Sequence, residues 1–153
     1  MSTETVEKSF DVMKDLVETC RDAQAGYLIA AEHVRNAELR AFFSQQSMDR
    51  ARFAAELERA ARRLGDAEIP RGSGIVDRIN RAWLELKQKL AIGDIGVLET
   101  VEAAERSVKI HFQQALQAGL PPEIRNVVER EAESISAAYD QVCTLRDMGG
   151  RAA

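Results

Sequence analysis

Apolar residues recur in steps of three and four along almost the whole chain, and no other feature constrains its fold as much. From Val6 the series runs through Phe10, Met13, Val17, Cys20, Gln24, Tyr27, Ala31 and Val34, with one polar member, Gln24. Steps of that size return to one side of an α-helix, so the stripe predicts an amphipathic helix over about residues 4–34. Ser2 and Thr3 or Thr5 are placed to cap its start, with glutamates in the first turn. A second stripe follows through Leu39, Phe43, Gln46, Arg50, Phe53, Leu57, Ala60 and Leu64. Asn36 ends the first helix or caps the second, and Gly65 is the expected C-cap. Only a few residues join the two helices, so they must lie antiparallel.

Two more stripes lie in the second half. Leu98, Val101 with Glu102, Glu105, Val108, Phe112 and Ala115 make one, with Asp94 expected as its N-cap and Gly119 as its end. Ile124, Val128, Glu131, Ile135, Ala138, Val142 and Leu145 make the other, opened by Pro121 and Pro122. Residues 65–74, GDAEIPRGSG, form the clearest loop, and a short helix is expected after it with Ile75, Ile79, Trp83, Leu86 and Leu90 on one face. Trp83 is the only tryptophan and is expected to anchor that helix on the bundle. All 3 Pro and most of the 9 Gly fall at helix ends or in this connection, which leaves the helices uninterrupted. The reading is all-α: a single domain over residues 1–153, ordered from about 4 to 148, with four long helices. A short helix of ~17 residues spans about 25 Å, enough to carry the chain back along the bundle. A long second connection of this kind distinguishes a ferritin-like bundle from a plain up-and-down one, and on these residues alone an up-down-up-down order stays open.

Function classes narrow from the charge and the motifs. A net charge of −4 argues against nucleic acid as the partner. No stretch approaches the ~20 apolar residues that cross a membrane. The start, MSTETVEKSF, lacks a basic segment followed by an apolar one, so the cytoplasm is the expected compartment. Cys20 and Cys143 are too few for a disulfide framework and are read as reduced thiols. HExxH, Walker, GxSxG and Cys-x-x-Cys motifs are all absent. His33, His111 and the run Arg59, Arg62 and Arg63 with Arg71 read as surface groups.

What remains is a set of polar residues on apolar stripes: Gln24, Gln46, Arg50, Glu105 with Glu102 beside it, and Glu131. The two hairpins place them in one or two adjacent layers near the middle of the bundle, with Gln24 near Gln46 and Arg50 near Cys20. Buried charges must be paired or bound. In one reading Arg50 makes ion pairs with Glu105 and with Glu131 or Glu102, and the glutamines complete the network without a ligand. In the other, Glu102, Glu105 and Glu131 hold iron or another divalent metal, with Tyr27 as a redox neighbour. Di-metal bundles use Glu-x-x-His pairs, and the chain has none. A third reading makes Cys20 a redox-sensing thiol with its pKa lowered by Arg50.

Several strings together resemble a bacterial ferritin-like family of unknown function. They are LVETCRDAQAGY (Leu16–Tyr27), DRARFAAEL (Asp49–Leu57), RAWLELK (Arg81–Lys87), EAAE (Glu102–Glu105), LPPEIR (Leu120–Arg125) and DQVCTLRD (Asp140–Asp147). The resemblance implies a ferritin-like four-helix bundle with a short helix in the long crossover between the second and third long helices. It implies no particular activity. Tyr139 stands where close relatives are expected to carry a histidine. The function expected is that of a non-enzymatic bundle, stress-related or an adaptor, working through protein contacts and needing no cofactor. Phe42, Leu28 and Tyr139 are candidates for a homodimer face, or else they widen the core stripe. The alternative is a metal carboxylate protein with oxidase or storage chemistry.

Overall fold

The computed structural model describes residues 3–65, Trp83 and residues 93–149. Four helices account for nearly all of them: α1 (Thr3–His33), α2 (Ala37–Gly65), α3 (Gly93–Leu116) and α4 (Pro122–Asp147). The short crossover helix expected after residue 74 lies outside the described residues, apart from Trp83, which is helical.

Local chemistry sets the helix ends. Asn36 caps α2: its side-chain oxygen accepts the backbone N–H groups of Glu38 and Leu39, at 2.9 and 3.0 Å. Pro121 precedes α4 and Pro122 opens it, as suits a residue with no N–H to leave unpaired. Gly119, at φ +73°, supplies the left-handed backbone that turns α3 into α4. Two expected caps differ. Gly65 is still helical, as the last described residue of α2, with its backbone against Val6 of α1. Asp94 lies inside the first turn of α3, and its carboxylate instead accepts the backbone N–H groups of Arg35 and Asn36, at 2.8 and 3.0 Å. It thereby ties the α1–α2 turn to the start of α3.

These contacts also fix the helix directions. The end of α1 meets the start of α3 through Asp94, and the two meet again at the other end, where His111 lies 2.8 Å from Asp15. Helices α1 and α3 are therefore antiparallel. Ser47 donates to the Gln24 carbonyl at 2.8 Å, which sets α2 antiparallel to α1. Arg63 near the end of α2 pairs with Glu123 at the start of α4, at 3.3 Å. It follows that α2 and α3 run parallel. An up-and-down bundle would have made them antiparallel. The order around the bundle is α1, α2, α4, α3, with α2 and α3 on one diagonal.

The stripes form one continuous core. Met13, Leu16, Cys20, Ala23 and Tyr27 of α1 are fully enclosed, as are Leu39, Phe43, Ala54 and Leu57 of α2. Val97, Leu98, Val101 and Ala104 of α3 and Val128 and Val142 of α4 complete it. Trp83 is 1% exposed and packs on Tyr27, ring centroids 5.2 Å apart. Gly26 makes that approach possible, since a Cβ there would lie 2.0 Å from the indole Cε3.

Candidate functional site

Arg50, Glu105 and Glu131, the charged side chains most deeply buried in this core, come from positions where the helical period demands an apolar one. Arg50 on α2 and Glu105 on α3 are both wholly buried. They sit on diagonal helices and meet across the bundle axis, with Nη2 of Arg50 donating to Oε1 of Glu105 at 2.5 Å. The other carboxylate oxygen of Glu105 accepts the Tyr27 hydroxyl of α1. The same Arg50 nitrogen reaches the side-chain oxygen of Gln46 at 3.4 Å. The guanidinium carbon lies 5.2 Å from the Tyr27 ring centroid, within cation–π range. One cation, one carboxylate and one phenol from three helices thus close on one another.

Electrostatics fix their protonation. Burial works against the charge on Arg50, but Glu105, ahead of Tyr27, outweighs it and raises the guanidinium pKa further. Burial and then the Glu105 charge push the Tyr27 phenol up, so it remains a donor. Cys20 is also enclosed. Burial, and then Glu131, raise its thiol pKa far more than Arg50 lowers it. That removes the basis for an activated thiol at Cys20: the nearby cation is already engaged by Glu105 and the apolar wall dominates.

The remaining predicted residues lie elsewhere. Gln24 and Gln46 are only half-buried, and Gln24 accepts from Arg21 at 3.3 Å. Glu102, on the same helix as Glu105, faces α4 rather than the axis. It pairs with Arg106, with Arg146 at 3.3 Å and with the Tyr139 hydroxyl at 3.0 Å. Glu131 is 1% exposed and bonds neither Arg50 nor, as a carboxylate, any other donor. Glu56 of α2 faces it. Burial first, and then the Glu56 charge, push the Glu131 carboxyl up to about 9, against a weaker pull from Arg130 and Arg50. Once protonated, Glu131 can donate to the Glu56 carboxylate. Glu102, Glu105 and Glu131 therefore do not converge. Among the described residues no three His, Cys, Asp or Glu side chains are grouped to hold an ion. Of the three predicted ligands, Glu105 faces a guanidinium and Glu102 is paired with Arg106 and Arg146.

Tyr27 was placed beside the glutamates from sequence, but as a redox neighbour rather than as the phenol that donates to Glu105. Two participants were missed, Glu56 as the neighbour of Glu131 and Gly26 as the seat of Trp83, and of these only Gly26 left a signal, a glycine inside a long helical stripe. Phe42 packs on the core and Tyr139 is held by Glu102 and Arg106, so of the expected dimer-face residues only Leu28 is exposed.

Comparison with known proteins bears on the fold. The model of a family described as a domain of unknown function (DUF2383) matches residues 8–118. Among solved structures, a Dps1 mutant from Mycobacterium smegmatis is similar with a TM-score of 0.74 at 12% identity, over 94% of this chain and 98% of that one. Likeness at that identity concerns the fold alone, a ferritin-like four-helix bundle. No curated protein matches.

Proposed function

The chain belongs to the DUF2383 family of domains of unknown function, and from that premise we propose that it is a non-enzymatic helical-bundle adaptor acting through protein contacts. The observation that carries the reading is the Arg50–Glu105–Tyr27 cluster, in which the bundle's own cation neutralises the axial carboxylate. An axial charge already balanced within the bundle leaves the helix faces as the working surface. Leu28, Met48, Ile95 and Ile110 are the large apolar side chains exposed there among the described residues. The proposed partners are proteins, a second copy of this chain included. The net charge of −4 argues against nucleic acid, and no helix among the described residues is long and apolar enough to cross a membrane. The cytoplasm is the proposed compartment, where the free thiols Cys20 and Cys143 stay reduced.

The rival reading assigns iron or another divalent metal to Glu102, Glu105 and Glu131. Elemental analysis of protein purified without chelator, followed by titration with Fe(II), Mn(II) and Zn(II), separates the two. No stoichiometric uptake is expected. One metal per chain, lost on Glu105→Gln, would overturn the proposal. Sedimentation over a concentration series tests self-contact: a monomer throughout removes the second copy as a partner.

A further inference from the structure

Three nitrogens near Tyr27 lack hydrogen-bond partners, and all of them are donors: Nε and Nη1 of Arg50 and Nε1 of Trp83. Arg50 is fully enclosed and Trp83 is 1% exposed. The two residues flank one ring, with the guanidinium carbon and the indole each 5.2 Å from the Tyr27 centroid. They approach from different elements, Arg50 from α2 and Trp83 from the chain that follows it. A buried N–H with no acceptor bears its full desolvation penalty, and roughly nine in ten buried polar groups in native proteins avoid this. Such donors point to a ligand rather than to packing.

We infer that the interior around Tyr27 is a hydration site, in which ordered water accepts from Arg50 and from the Trp83 indole. Each part of this assignment has its own reason. The ligand is an acceptor because the unpartnered groups of Arg50 and Trp83 are all N–H donors, while the unpartnered carboxylate oxygens of Glu131 belong with Glu56. It is uncharged because Glu105 already balances Arg50, and an added anion would lie buried without a counter-charge. Water, unlike a pure acceptor, also has hydrogens to donate. The Tyr27 oxygen, whose own proton goes to Glu105, and the side-chain oxygen of Gln46 are acceptors at the same level. Nε and Nη1 project from different edges of the guanidinium, so more than one water is required. Water held in this way is an integral part of a fold. Here it would link Trp83 to the Arg50–Glu105 pair without direct contact.

The test uses the intact chain. In nitrogen-15-labelled protein, the Trp83 indole proton is expected to show a cross-relaxation peak to long-lived water. A high-resolution crystal structure is expected to show ordered density within hydrogen-bond distance of Arg50 Nε and Nη1. Trp83→Phe keeps a ring but removes the indole donor, and should lose the water beside it while keeping those on Arg50. Absence of both the peak and the density would overturn the inference. So would an anomalous bromide signal at Arg50 in crystals grown with bromide, which would make the ligand an anion. The readouts on the unmodified protein do not depend on the variant folding, and they are independent of the metal titration above.

Discussion

Glu131 carries the least favourable charge among the described residues. Its carboxyl is buried with no donor while ionised, and Glu56 is the charged group that acts on it most strongly. Folding therefore raises its pKa from the ordinary 4.5 to about 9. The native state holds a proton that the unfolded state releases, so stability is highest below the unfolded pKa and falls as pH rises towards 9. At about 1.4 kcal/mol per pH unit, the loss at neutral pH is about 3 kcal/mol. Glu131→Gln is a neutral isostere that still donates to Glu56. We expect the variant to match the wild type near pH 4 and to be more stable by roughly that amount at pH 7, as measured by urea unfolding at several pH values. A wild type with flat stability between pH 5 and pH 9 would contradict this. The position of Glu131 on an apolar stripe was legible in the sequence. Its partner was not, because Glu56 lies off the stripe and its approach depends on how α2 is rotated against α4.

The elements themselves were largely legible, because each long helix writes its period over six turns or more and its ends carry proline, glycine or asparagine. Asp94 shows where such reading stops. An aspartate at the start of a helix predicts a cap, yet its carboxylate satisfies N–H groups of the α1–α2 turn, 58 and 59 residues away in sequence. Gly26 is the complementary case. Alanine in a helix interior is normally favoured over glycine by about 1 kcal/mol. Here the added methyl would overlap the Trp83 ring, and the overpacking cost of about 1–3 kcal/mol decides the sign. Gly26→Ala is expected to lower stability and to shift the emission of the only tryptophan to the red as Trp83 is displaced. Unchanged emission would show that α1 yields instead.

At the scale of the molecule, the central polar layer is a tie between diagonal helices. Removing one partner of a buried ion pair leaves the other charge unmatched, at a typical cost of about 3–5 kcal/mol. Arg50→Met should fall in that range. Adding Glu105→Leu should restore most of the loss, and the coupling in the double-mutant cycle is the measurement. The layer was foreseen in part. Arg50 and Glu105 meet because both lie near mid-helix, whichever way α3 runs. Glu102 and Glu131 do not join them, because a stripe position specifies the side of a helix but not which neighbour that side faces. The length of the connection was compatible with a parallel course of α2 and α3 but left an up-and-down order open, and the contacts of Asp94, His111 and Arg63 decide it.

That diagonal tie also has a kinetic consequence. The α1–α2 and α3–α4 turns bring together residues close in sequence, whereas Arg50 and Glu105 are 55 residues apart. Hairpin contacts are entropically cheap and form early, while a contact that requires both halves to be docked forms late. Interactions absent from the folding transition state govern how fast a protein unfolds, not how fast it folds. The ion pair should thus act as a latch on the finished bundle: Arg50→Met should steepen the loss of native protein with time and leave the refolding rate nearly unchanged, a distinction that stopped-flow measurements of both limbs resolve.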